Sequence, residues 1–297
     1  MQYDIAVVGG SFAGLSAALQ AVRARRKVLV IDGAQPRNRF SDHSHGFLGQ
    51  DGRTPRAILD DAREQFLAYP TATLTEALAS EARATDGGFK ITLEGRDAVT
   101  ASRVVLATGI SDTLPDIPGL KEQWGKTVLH CPYCHGYETG GGRLGVLARN
   151  ALSVHQALLV ADWGDVTLFG NGIFVPDDEQ MAALRKRGIG FEPAAVAGVE
   201  GGPAGLAVTL AGGAAHALKA MFTAPKTAMT SPLAEQLGCS FEDGMLGPVV
   251  KVDERQQTSI KGVYAAGDMA RAMHSVALAV AAGAMAGIGA HQSLVFG

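Results

Sequence analysis

The chain has 297 residues, 47% hydrophobic and 19% charged, with a formal net charge of -3, which is ample apolar material for a packed enzyme core. No long basic run is present, so nucleic acid is not an expected partner, and three cysteines are too few for a disulfide framework. Asp4 precedes the first short apolar run and the most apolar late stretch, residues 276–290, is shorter than a bilayer span; neither a signal peptide nor a membrane is expected, and the expected compartment is the cytoplasm.

In chain order, residues 4–8 form a short apolar run, a glycine turn follows, and residues 15–25 repeat Ala and Leu at helical spacing. Residues 28–31 are a second apolar run ending at Asp32. Continuous apolar runs of this length predict buried strands in a parallel sheet covered on both faces. Thr54-Pro55 predicts a helix start, with Thr as N-cap and Pro at the first position, and the helix runs to about Ala68. Residues 89–93 alternate like a strand, residues 104–107 form an apolar strand leading into Thr108-Gly109, and Pro115 and Pro118 punctuate a linker.

A second strand–helix–strand pattern occupies residues 144–147, 151–161 and 166–169, followed by a helix at 180–187 that stops at Gly188. Short strands and turns fill 191–223, Pro225 and Pro232 mark a return crossing, and residues 263–266 form a strand ending in Gly267-Asp268. A long Ala-rich helix, read as buried, ends the chain.

The first turn reads Gly9-Gly10-Ser11-Phe12-Ala13-Gly14. A dinucleotide fingerprint wants glycine at the first, third and sixth places. Gly9 serves the tight turn, Ser11 is small enough for the middle place, and Gly14 lets helix and strand approach. Asp32 lies 18 residues after Gly14 at a strand end, where an acid can bond ribose hydroxyls. The turn alone does not separate FAD from NAD. The distant strand end at Gly267-Asp268 supplies the second contact that an extended flavin needs near its ribityl chain, and tips the expectation to FAD.

His130-Cys131-Pro132-Tyr133-Cys134-His135 is the sharpest local signal. Two cysteines separated by two residues can close a small disulfide and carry two electrons. Pro132 suits a first helical turn, which would lower the pKa of a nearby thiol. Other readings are half of a zinc site, a c-type haem attachment, or a pair of core cysteines. Cys239 stands alone and reads as a small buried hydrophobe. His135 adjoins the pair and can act as acid or base to a thiolate, and His274 follows Asp268 closely enough to be a second candidate. No metal site is expected.

Taken together, these motifs resemble the low-molecular-weight thioredoxin reductases in order along nearly the whole chain: the turn at 9–14, Asp32, Ala107-Thr108-Gly109, the CxxC, the second unit and Ala266-Gly267-Asp268. The resemblance implies an α/β fold of two Rossmann-like, three-layer domains, the second inserted into the first. An FAD domain would span residues 1–113 and 242–297, and residues 114–241 would form the inserted domain with the CxxC. It implies a homodimer, FAD contacts at Gly9, Ser11, Phe12, Ala13, Gly14, Asp32, Gly109 and Gly267, and Asp268 on the flavin side. It also implies that Cys131 takes the mixed disulfide and Cys134 faces the flavin.

The chain departs from that family at both NADPH contacts. The second turn, Ala148-Arg149-Asn150-Ala151-Leu152-Ser153, contains no glycine, and Phe169-Gly170-Asn171-Gly172-Ile173 carries no cation for a 2′-phosphate. Cys-Pro-Tyr-Cys-His-Gly-Tyr-Glu and His45-Gly46-Phe47-Leu48-Gly49 look like the branch of FAD-dependent dithiol oxidases from gliotoxin and holomycin biosynthesis. The expected activity is therefore NADPH-independent oxidation of a dithiol with oxygen as acceptor, the partner being a small dithiol or disulfide or a thioredoxin-like protein. The alternatives are a thioredoxin reductase-like enzyme fed by ferredoxin or another donor, and a non-catalytic flavin-binding redox sensor.

Overall fold

The computed structural model describes residues 2–297. The chain forms two compact units: residues 1–39, 47–112 and 227–297 in one, and residues 40–46 and 113–226 in the other.

Gln2–Val8 (β1), Phe12–Arg23 (α1) and Val28–Asp32 (β2) form the opening strand–helix–strand of the first unit. Pro55–Leu67 follows as α2, with Thr54 accepting from the Ala57 N–H and Pro55 at the first position. Ala72–Glu76 (β3), Ala79–Thr85 (β4), Gly88–Leu93 (β5), Val99–Leu106 (β6) and Ile110–Thr113 (β7) complete this part. β1 is the hub: Val7 pairs in parallel with Val30 of β2 and with Val105 of β6. The stretch Ala72–Thr85 carried no strand expectation, because its Ala- and Glu-rich sequence lacks the β-branched density of a strand. Pairing decides it: β3 lies parallel to β2, and β4 is an antiparallel partner of β5.

In the second unit, Val128–Leu129 (β8) precedes Pro132–His135 (α3), a single helical turn. Arg143–Leu147 (β9), Leu152–Val160 (α4), Asp165–Phe169 (β10), Asp178–Lys186 (α5) and Gly190–Glu192 (β11) repeat the α/β alternation. Val196–Gly202 (β12), Gly205–Leu210 (β13) and Ala215–Leu218 (β14) form an antiparallel meander, and Ala220–Phe222 (β15) returns to the parallel sheet, whose order is β11-β10-β9-β15-β8. One face of that sheet packs under α4 and α5 through Val154, Ala157, Val160 and Leu184. The other packs under the meander through Val196, Val199, Leu206 and Val208. Three layers result, with strands rather than helices as the second cover.

Lys226–Met229 (β16) pairs with β7. Leu233–Gln236 (α6), Phe241–Asp243 (β17), Pro248–Val250 (β18), Val263–Ala265 (β19) and Val276–Phe296 (α7) then complete the first unit. β19 adds to β6, giving a seven-stranded sheet. The return falls at Thr227, earlier than the 242 expected from sequence. Leu233, Ala234, Leu237 and Cys239 share one buried cluster with Phe89, Ile91 and Leu106, which ties this stretch to the first unit. Helix α7 is also longer than its apolar core suggested; by length and composition it could cross a membrane. Here Ala279, Ala282, Ala286 and Ala290 are buried with α1 residues Ala13, Ala17 and Ala21. Side chains on Gly283 or Gly287 would strike the backbone of Ala13 or Ala17, so the two helices meet at backbone contact.

Candidate active site

The first unit holds a turn built to receive an anion. Gly9 has φ 107°, and a side chain there would strike the Ala107 carbonyl, so only glycine lets the chain leave β1 this close to the end of β6. Ser11 is the N-cap of α1 but its hydroxyl makes no capping bond. First-turn N–H groups have no intrahelical acceptor, and those of Phe12, Ala13 and Gly14 meet no other acceptor among the described residues. Three donors at the positive end of a helix therefore face outward from the protein's own bonding, the arrangement a pyrophosphate requires. Gly109 has φ 72° and faces open space at the end of β6.

Asp32 is placed differently from the simplest expectation. Its Oδ1 accepts from the N–H groups of Gly10 (3.3 Å) and Ala34 (3.1 Å), and its Oδ2 pairs with Arg63 Nη2 at 2.6 Å. Both oxygens thus have protein donors, and the carboxylate helps to shape the turn. Gly267, φ 80°, sets the Asp268 turn against the start of α1; a Cβ at Gly267 would lie 2.9 Å from that of Ala13. Donors for a pyrophosphate and an acid for a ribityl chain therefore share one region, which fits FAD. His274 lies beside this acid, its ring nitrogen Nε2 3.1 Å from the Arg271 carbonyl. Burial lowers its pKa, and the nearby Asp268 opposes that only in part.

The dithiol belongs to the second unit. Cys131 is the N-cap of α3 and Pro132 its first residue. The two sulfurs are in the dithiol form, and the Cys134 thiol donates toward Cys131 Sγ across 2.7 Å. This bond is the main reason the Cys131 pKa falls to about 7; burial opposes it, and the Cys134 and Tyr133 N–H groups assist. A thiol in that range is both a nucleophile and a good leaving group near neutral pH. Burial lowers the His135 pKa, against the pull of Glu138, so the ring is a neutral base near pH 7. Cys239 lies elsewhere, buried, its pKa raised by desolvation, which agrees with its reading as a core residue.

Several neighbours had no signal as partners in the sequence. Arg63 is one; Arg37 and Asp112, which join Asp268, are others. In the second unit His45 Nδ1 lies 3.4 Å from Glu138 Oε1, so the stretch noted for its motif reaches the residues that follow the CxxC. Trp163 packs edge-on against the exposed Tyr133, and Gln156 donates to the His130 carbonyl at 3.0 Å.

The place where an NADPH turn would lie is bonded to itself. The Leu152 N–H goes to Asn150 Oδ1 (3.0 Å), Ser153 N–H to the Asn150 carbonyl (3.0 Å), Val154 N–H to the Ala151 carbonyl (3.1 Å), and Arg149 N–H to Ser153 Oγ (2.9 Å). After β10, Asn171 turns its side chain inward to accept from the Val196 N–H at 2.9 Å.

Comparison with known proteins agrees with this anatomy. The family described as pyridine nucleotide-disulphide oxidoreductase matches residues 3–160 and 176–286. A thioredoxin reductase, tcpT, from Claviceps purpurea (strain 20.1) is 33% identical over 96% of this chain and 92% of its own. The crystal structure of an oxidoreductase from Agrobacterium tumefaciens superposes with a TM-score of 0.96 at 46% identity, covering 100% of this chain and 99% of that one. The structure of HlmI superposes at 0.91 with 36% identity, covering 98% and 92%. The chain therefore belongs to the pyridine nucleotide-disulphide oxidoreductase family, as an FAD-dependent thiol–disulfide oxidoreductase of the thioredoxin reductase-like kind.

Proposed function

We propose that this enzyme oxidises a dithiol to a disulfide with oxygen as acceptor and does not draw electrons from NADPH. The observation that supports this reading is the self-bonded second turn: of the three N–H groups equivalent to those of Phe12, Ala13 and Gly14, those of Leu152 and Ser153 already have acceptors. Opening them costs about 1 kcal/mol or more per bond before any ligand contact forms. The motif shared with the dithiol oxidase branch and the likeness to HlmI point the same way.

The overall reaction converts a dithiol and O2 to a disulfide and H2O2. In the oxidised enzyme, one substrate thiolate attacks Cys131 Sγ, the Cys131–Cys134 bond breaks, and Cys134 leaves as thiolate. The second substrate sulfur attacks the first, closing the substrate disulfide and releasing Cys131, whose low pKa suits it as leaving group. His135 accepts the substrate proton because burial keeps its ring neutral, and His274 is the second candidate for that role. Bound FAD supplies the two-electron chemistry that links the dithiol to oxygen.

Anaerobic flavin bleaching tests the proposal. Dithiothreitol is expected to bleach the flavin and NADPH to leave it yellow; in air, dithiothreitol is expected to drive oxygen uptake with matching H2O2. Rapid bleaching by NADPH would overturn the reading, and so would thioredoxin reduction fed by reduced ferredoxin without dithiol-driven oxygen uptake.

A further inference from the structure

Three charged side chains from distant parts of the first unit meet at the flavin end. Arg37 follows β2, Asp112 lies on β7 and Asp268 follows β19. Arg37 holds Asp112 with a two-pronged fork, Nε to Oδ2 at 2.9 Å and Nη2 to Oδ1 at 2.6 Å. Its remaining nitrogen, Nη1, donates to Asp268 Oδ2 at 2.7 Å. The three side chains are 20%, 9% and 19% exposed, so their charges are poorly screened.

The two acids are not used alike. Asp112 gives both oxygens to Arg37, which fixes the plane of the guanidinium. Asp268 gives only Oδ2; its Oδ1 accepts no hydrogen bond from the described residues. Because Gly267 sets this turn against Ala13, that oxygen belongs to the same neighbourhood as the outward N–H groups of α1. A carboxylate held at one oxygen with the other available is prepared to accept from hydroxyl groups.

We infer that Arg37 is a positioning residue for FAD: anchored by Asp112, it fixes the Asp268 carboxylate with Oδ1 available to the hydroxyls of the ribityl chain. Two carboxylates around one guanidinium leave the cluster with a charge of -1 while His274 is neutral. Without Arg37 the two acids would repel, and Asp268 would turn or take up a proton. Lysine cannot reproduce the arrangement, since a point charge cannot make the fork and the third bond together. The inference holds whichever electron donor or acceptor the enzyme uses.

The test is FAD affinity of the full-length apoprotein, followed by quenching of flavin fluorescence, together with thermal unfolding of the apoprotein. Arg37→Met and Asp268→Asn are each expected to weaken FAD binding about tenfold, the scale of one charge-assisted bond. Because Arg37 acts through Asp268, the double variant should lose little more than either single one. Asp112→Asn added to Arg37→Met should recover apoprotein stability by relieving repulsion, yet leave FAD binding weak. If Arg37→Met does not fold, Arg37→Lys carries the same comparison. Affinity within twofold of the parent in the Arg37 variant would overturn the inference. So would additive losses in the Arg37/Asp268 double variant, or FAD affinity restored by Asp112→Asn, which would reduce Arg37 to a neutraliser of Asp112.

Discussion

Residues 9–14 and 148–153 occupy equivalent places, each after the first strand of a strand–helix–strand unit, yet they are bonded in opposite ways. The first leaves the N–H groups of Phe12, Ala13 and Gly14 without acceptors among the described residues and places no side-chain cap on α1. The second has Asn150, just before the N-cap Ala151, accept from the Leu152 N–H, ties Arg149 to Ser153, and uses most of its donors locally. An exposed donor set costs stability until a ligand arrives, whereas a capped one needs no ligand. The difference teaches that one fold element can be kept while a few side chains change which of its backbone donors are left open. It also separates the flavin chemistry of the first unit from the thiol chemistry of the second, and each can be broken alone.

The largest effect should come from Cys131→Ser. Loss of a nucleophile typically costs a thousandfold or more in turnover, so dithiol-driven oxygen uptake should fall by at least about a thousandfold. FAD content should be unchanged, because the turn that holds it lies in the other unit. Residual uptake above a few per cent in an oxygen electrode would remove Cys131 from the proposed route.

Next in size is Gly14→Val. A Cβ there would strike the Gly9 carbonyl, and distortion of about 3 kcal/mol corresponds to roughly a hundredfold weaker FAD binding. The protein should purify largely colourless. The matching change in the second turn, Ser153→Val, should leave the visible flavin spectrum and FAD content as they were. Loss of FAD in that variant as well would mean the two turns are not independent.

How much of this was legible in the sequence follows from distance along the chain. The strand–helix–strand units, the Thr54 cap and the CxxC turn are local patterns, and the structure places them within a few residues of expectation. The strands at Ala72–Glu76 and Ala79–Thr85 were not legible, since cross-strand partners outvote their weak local preference. Asp32 was legible as an acid at a strand end, but not its pairing with Arg63 31 residues later. Arg37 and Asp268 are separated by 231 residues, and no spacing rule connects them. His45 and Glu138 each drew notice as part of a separate motif, but nothing in their spacing showed that the two meet.

A smaller effect concerns the thiols. The Cys131 pKa of about 7 rests first on the hydrogen bond from Cys134. Iodoacetamide labelling of the reduced protein should therefore rise with pH through about 7, because the thiolate is the reacting form. In Cys134→Ala the main cause is gone while burial still favours the neutral thiol, so the midpoint should move up toward the ordinary thiol value of about 8.5. An unmoved midpoint would show that the backbone N–H groups of α3 hold the thiolate without Cys134.

The smallest effect bears most directly on the two turns. Asn150→Ala removes the acceptor of the Leu152 N–H and should cost about 1 kcal/mol of stability, the scale of one intramolecular hydrogen bond. Ser11→Ala changes the same place of the first turn, but the Ser11 side chain makes no capping bond, so the cost should stay within about 0.5 kcal/mol. Denaturant unfolding of the apoproteins would measure both. Equal costs would mean that Ser11 caps α1 in solution and that the first turn is not left open for its ligand. The predicted inequality would mean that stability at this fold position is secured by a side chain in one unit and left to the cofactor in the other. Adding saturating FAD then sharpens the contrast: it should raise the stability of both variants through the first turn, while leaving the deficit of Asn150→Ala against the parent in place.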